Sequence, residues 1–173
     1  IFTLSFLGGI SKAAERTPKG WTLQGAKPEA YAVQTDSALK GPHGNSILLY
    51  SKGDASGSGT LMQAIKADDY KGRRVRFSGH IKGQGVKSWA GLWMRVNDSE
   101  NRVTAFDNME QRAFRGDGDW RKIQVVLDIP NNSGTISFGA LLSGVGRIWV
   151  SGLAFEVVDE AVPVTAKSYV PEL

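Results

Sequence analysis

Residues 73–82 read Arg73-Arg74-Val75-Arg76-Phe77-Ser78-Gly79-His80-Ile81-Lys82. Val75, Phe77, Gly79 and Ile81 alternate with Arg74, Arg76, Ser78, His80 and Lys82. A period of two, rather than 3.6, is that of an extended strand with one apolar face turned inward and the other, here cationic, turned out. Residues 88–97 repeat the pattern, with Ala90, Leu92, Met94 and Val96 on one face and Trp89, Gly91, Trp93 and Arg95 on the other. Further strands are predicted at 21–24, 31–35, 46–50, 60–67, 102–106, 120–129, 135–142 and 147–158. Turn-formers separate them: Gly41-Pro42-His43-Gly44-Asn45, residues 53–59, Asp117-Gly118-Asp119 and Pro130-Asn131-Asn132-Ser133-Gly134. Short strands at this spacing predict an all-β fold, an antiparallel β-sandwich. Helix is expected only in short pieces, around 11–16 and in a turn near 67–70.

The composition fits one such domain. The chain has 173 residues, 21 of them Gly and none Cys, with 41% hydrophobic content. That length buries about 70% of the surface an unfolded chain exposes, and the lack of Cys excludes a disulfide scaffold and a thiolate zinc site. Net charge is +4, and residues 71–121 carry 11 of the 21 basic side chains against six acidic ones. The excess could attract an anionic ligand, but Lys and Arg on solvated strand faces and edges explain it as well. Residues 1–10, Ile-Phe-Thr-Leu-Ser-Phe-Leu-Gly-Gly-Ile, are too short to span a bilayer and read as an extra strand or the end of a signal sequence. The expected organisation is an apolar segment at 1–19, a sandwich at 20–158 and an extended tail at 159–173. Nothing in the composition separates a secreted or periplasmic protein from a cytoplasmic one.

Several short motifs occur in a fixed order: Gly20-Trp21, Tyr31-x-Val33-x-x-Asp36, Gly44-Asn45-Ser46-Ile47, Met62-Gln63, Tyr70-x-Gly72-x-x-Val75-x-Phe77-Ser78-Gly79, Gly118-Asp119-Trp120 and Gly146-x-Ile148-Trp149-Val150-x-x-Leu153-x-Phe155-Glu156. Over residues 20–158 this order resembles the carbohydrate-binding modules with a jelly-roll, galactose-binding-like sandwich. A nearer likeness is carried by Trp89-Ala90-Gly91-Leu92-Trp93-Met94-Arg95-Val96, Phe106-Asp107-Asn108-Met109 and Phe155-Glu156-Val157-Val158. These stretches resemble bacterial sandwich domains joined to helix-turn-helix regulators or to secreted and peptidase-like proteins. No helix-turn-helix pattern is present in this sequence, so the resemblance brings no nucleic-acid role with it. Sugar-binding modules of this kind often hold a structural calcium ion. The acidic pattern for it is not matched here, so no cofactor or metal is expected.

In such modules a ring stacks on the apolar face of a pyranose while planar polar side chains bond its hydroxyls. Trp93 and Arg95 share one strand face, and Arg76 and His80 share one face of the preceding strand. If the two strands are sheet neighbours they build a cationic aromatic patch, to which Gln63, Lys122 and Gln124 could add. Alternatively, Trp89 and Trp93 are covered by another part of the chain. Asp107 and Asn108 are candidates for ligand hydroxyls, or form a turn that bonds its own backbone.

Three functions remain open. The first is a non-catalytic sandwich binding a saccharide or other small polar ligand through Trp93, Arg95, Arg76 and His80. The second is a small cyclase, isomerase or lyase with Asp107 or His80 as acid or base in a Trp-lined pocket. The third is a sensory or oligomerisation domain of a regulator, with a homodimer formed through the terminal segments.

Overall fold

The computed structural model describes residues 17–166. The expectations for 1–10 and 11–16, and for a homodimer through both termini, fall wholly or largely outside these residues. Nine strands are present among them: β1 (Thr22–Gln24), β2 (Tyr31–Gly41), β3 (Gly44–Ser51), β4 (Ser58–Lys66), β5 (Arg74–Asp98), β6 (Val103–Asp107), β7 (Phe114–Asp128), β8 (Ser133–Ser143) and β9 (Arg147–Val158). Three 3-10 turns, Pro28–Ala30, Asp68–Tyr70 and Glu110–Arg112, complete the regular structure. The turn expected near 67–70 is the second of these.

All pairings are antiparallel. They form one continuous hydrogen-bonded network that divides into two layers because β5 belongs to both. Its first half, residues 74–84, lies between β9 and β7, and β3 and β2 continue outward from β9. Its second half, residues 89–98, lies between β8 and β6, and β4 and β1 continue outward from β8. These are called layer I and layer II. At the crossing, Gly85 takes a φ of +62°, a left-handed conformation that costs glycine little. The two strands expected at 73–82 and 88–97 are thus halves of one long strand. The Asp117-Gly118-Asp119 turn is instead part of β7, where Gly118 pairs with Gly83 across an irregular register. Pairing to β5 keeps this segment extended despite its turn-forming residues.

The core lies between the layers and follows from the alternation. Val75, Phe77 and Ile81 point inward from the first half of β5, and Leu92, Met94 and Val96 from the second, all at 0–1% exposure. Leu49, Val125 and Ile148 join them from layer I, and Leu61, Ile136, Phe138 and Leu142 from layer II. Gly139 marks the closest approach in layer II. A Cβ there would overlap the Leu61 carbonyl oxygen of β4. Gly139→Ala is expected to cost about 1–3 kcal/mol through backbone displacement, which a urea titration would measure. An unchanged midpoint would show that β4 moves aside freely.

Candidate functional site

The division of β5 separates the expected patch. Arg76 and His80 lie on the outer face of layer I, opposite Glu156 and Ser151 of β9 and Val126 and Lys122 of β7. Trp93 and Arg95 lie on the outer face of layer II, opposite Gly139 and Ser137 of β8. Both faces point away from one shared core, so the two pairs stand on opposite sides of the sandwich. Trp93 is only 8% exposed, and its Nε1 donates to Thr60 Oγ1 of β4 at 2.6 Å. Trp93 is therefore a structural indole, while Arg95 is exposed beside Phe106 of β6. Trp93→Phe should cost about 1 kcal/mol for the lost bond in a thermal melt monitored by circular dichroism.

The remaining candidates are dispersed. Gln63 pairs with the core residue Phe138, which sets it on the inward side of β4 near Gly20. Gln124 is on the outer face of layer I at its β7 edge, and its carbonyl accepts from Arg112 at 3.1 Å. Asn108 accepts from the Glu110 backbone N–H and stays in its own turn.

Asp107 does not have the setting of a general acid or base. It is 6% exposed, and Arg112 grips it with two bonds, Nη1 to Oδ1 at 3.1 Å and Nη2 to Oδ2 at 2.6 Å. The Met109 N–H and the Thr165 hydroxyl also donate to it. Burial alone pushes its pKa up. The Arg112, Thr165 and Met109 hydrogen bonds together outweigh that, and the carboxyl is held below its ordinary value. A catalytic acid at neutral pH needs the opposite shift.

His80 sits under the β2–β3 hairpin. Its ring lies 5.0 Å from that of His43, and its buried Nδ1 has no partner among the described residues. Desolvation, and then the nearby charges of His43 and Lys122, lower its pKa. Among the described carboxylates, Asp36 is held low by the Leu39 N–H and Trp149, and Asp98 by the Arg102 N–H and guanidinium.

These shifts fix the sign of the pH dependence. For each of these groups, the unfolded chain binds its proton first as pH falls. Stability should therefore begin to drop below about pH 6.5 through His80, and drop again below about pH 4 through Asp36, Asp98 and Asp107. His80→Gln should remove the upper limb only, in urea midpoints measured from pH 8 to 3.

The aromatic and polar side chains that do share a face are on the outside of layer I. One cross-strand row runs Gln34, Leu48, Trp149, Lys82, and the next runs Ala32, Tyr50, Arg147, Gln84. Trp149 is 8% exposed and its Nε1 donates to Asp36 Oδ2 at 3.0 Å, so, like Trp93, it is a structural indole, while Tyr50 in the next row is half-buried. Lys82 is tied to Asp119 at 3.0 Å. Two grooves border the β5 and β9 ends of these rows and share Gln84 in their linings. One, of about 530 Å³, is lined by Leu39, Lys82, Gln84, Asp117 and Trp149 among others. The other, of about 440 Å³, is lined by Ser51, Gln84, Lys87 and Arg147 among others. The 37–43 segment forms one wall: Leu39 borders the first groove, and Gly41 packs so closely on Ser151 that a Cβ would overlap it. The sequence carried the signal for Trp149 in Arg147-Ile148-Trp149-Val150, where inward Ile148 and Val150 leave Arg147 and Trp149 outward.

No family model matches the chain. Over 153 residues it is 41% identical to an uncharacterized HTH-type transcriptional regulator, YbfP, of Bacillus subtilis (strain 168), a match spanning 87% of this chain and 52% of the regulator. The chain thus covers about half the length of that relative. Among the described residues the helical pieces are three-residue 3-10 turns, so a helix-turn-helix is absent from them. Solved structures share the fold. The xylan-binding domain of family CBM22 from Paenibacillus barcinonensis superposes with a TM-score of 0.60 at 16% identity, covering 83% of this chain and 90% of that domain. The enzymatically active domain of tailspike protein 4 from bacteriophage CBA120 superposes at 0.62 with 15% identity, covering 84% of this chain and 20% of the tailspike chain. The fold is the jelly-roll β-sandwich of carbohydrate-binding modules. No helix of the described residues is long and apolar enough to cross a membrane.

Proposed function

We propose that the domain is a non-catalytic saccharide-binding sandwich whose ligand lies along the outer face of layer I. The observation that carries this reading is the placement of half-buried Tyr50 in one cross-strand row with Arg147 and Gln84, where Arg147 and Gln84 line one groove and Lys82 and Gln84 line the other. A ring offers an apolar platform, and guanidinium and amide groups offer paired donors and acceptors for vicinal hydroxyls. The xylan-binding domain with the same fold supports a saccharide as the ligand class. The 41% identity to half of a transcriptional regulator supports a second, compatible role: in a longer protein of that kind, the sandwich is the part that senses the ligand.

Affinity electrophoresis against xylan and other plant and bacterial polysaccharides, followed by calorimetry with oligosaccharides, tests the reading. Tyr50→Ala and Arg147→Ala should each weaken binding about tenfold or more, equivalent to about 1.4 kcal/mol. Trp93→Phe should leave it unchanged. Absence of binding to every saccharide, or full binding by the Tyr50 and Arg147 variants, would reject the outer face of layer I as the site.

A further inference from the structure

A separate groove of about 530 Å³ runs along the outer edge of β7, lined by Met109, Arg112, Arg121, Lys122, Ile123, Gln124 and Thr165. One edge of β7 is paired to β5, and the other faces this groove. Val126 shows which of its backbone groups point there: its N–H donates to Thr165 Oγ1 at 2.8 Å and its carbonyl accepts from the Thr165 N–H at 2.9 Å. Backbone groups alternate in direction along a strand, and the pairing of β7 with β5 is regular from Arg121 to Asp128. The N–H groups of Gln124 and Lys122 therefore open on the groove as well.

The side chains around it are cationic on an apolar floor. Met109 and Ile123, 3% and 8% exposed, form the floor. Arg112 is neutralised by Asp107. Arg121 is held in place by stacking 4.5 Å over the Phe114 ring and by donating to the Ala113 carbonyl, and neither partner cancels its charge. Lys122 makes no hydrogen bond or ion pair among the described residues, and no acidic side chain is among those lining the groove. Edge protection alone needs a charge on the strand; it does not need a second, fixed guanidinium and a recessed apolar floor beside it.

We infer that this groove is a binding site for a small organic anion, a carboxylate or phosphate borne on a body of monosaccharide size. Arg121 and Lys122 would meet the anionic oxygens with the edge N–H groups, and the body would rest on Met109 and Ile123. The volume lies within the usual range for small-ligand sites. This site lies at the β7 edge of layer I, separated from the Tyr50 and Arg147 rows by β5.

Calorimetry and thermal-shift measurements with glucuronate, glucose 6-phosphate, inorganic phosphate and neutral glucose test the inference. Glucuronate or glucose 6-phosphate should bind and raise the melting temperature, and the stronger of the two identifies the anionic group. Lys122→Glu and Arg121→Ala should each weaken that binding at least tenfold, while Tyr50→Ala leaves it intact. Far-ultraviolet circular dichroism checks that the variants are folded. Failure of both sugar anions to bind, equal binding by Lys122→Glu, neutral glucose binding as tightly, or inorganic phosphate binding as tightly as the sugar phosphate would each overturn the inference. None of these outcomes bears on saccharide binding at Tyr50 and Arg147.

Discussion

Phe77→Ala should destabilise the domain by about 3–5 kcal/mol, the usual cost of emptying a buried aromatic site. Phe77 is 1% exposed and reaches from layer I across the core to Phe138 of layer II, at 5.0 Å between ring centroids. Phe138 in turn stacks on Phe155 at 4.5 Å and meets the edge of Trp21 at 6.1 Å, and Tyr70 closes on Phe155 at 5.1 Å. The cluster joins the residue before β1, strands β5, β8 and β9 and the 68–70 turn, so the cavity left by alanine opens beside Phe138, whose ring is itself held by Phe155 and Trp21. Little collapse is open to it, which places the cost in the upper part of the range for such cuts. Urea denaturation followed by tryptophan fluorescence would give the value. A loss below about 1 kcal/mol would mean that the layers close over the gap and that the aromatic cluster does not fix their separation.

Asp107→Ala is the second large effect, at about 2–4 kcal/mol. The carboxylate joins three parts of the chain: the end of β6, the 110–112 turn through Arg112 and Met109, and the segment after β9 through Thr165. Removing it leaves the Met109 N–H buried with no acceptor and frees Thr165. The cost stays below that of orphaning a fully buried charge because the Arg112 side chain is 38% exposed and can be rehydrated. Asp107→Asn keeps the shape and one acceptor, so it should fall between wild type and alanine. Chemical denaturation gives the stabilities, and limited proteolysis reports the segment near Thr165, which should be cut faster in both variants. Equal proteolysis in wild type and Asp107→Ala would show that the bonds to Val126 and Arg74 hold that segment without it.

Both predictions depend on features of unequal visibility in the sequence. Phe77 was legible, because the alternation from Val75 to Ile81 requires it to face inward. The role of Asp107 was legible only in part: its bond to the Met109 N–H is the backbone-bonding turn expected of Asp107-Asn108, but Thr165 lies 58 residues away, in the segment after β9 that docks on β7, and nothing local points to it. Trp93 shows the same limit on a larger scale. Its alternation with Leu92 and Met94 sets it on the outward face, as expected, but gives no sign that Thr60, two strands away, receives its indole. Trp149 was equally legible as outward, and its local pattern carries as much information as that of Trp93.

By itself the sequence determined the fold class and, at 73–82 and 88–97, the face of the strand that enters the core. Period-two alternation and turn residues are local properties, and they act within a few residues of where they are read. Only the tertiary structure decided which outward faces lie together. Residues 73–82 and 88–97 are neighbours in the chain with the same alternation, yet β5 carries them into opposite layers, so their outward faces are on opposite sides of one core. That is why Arg76 and His80 share a surface with Trp149 and not with Trp93: strand pairing across the sheet is non-local, and alternation along a strand leaves it undetermined.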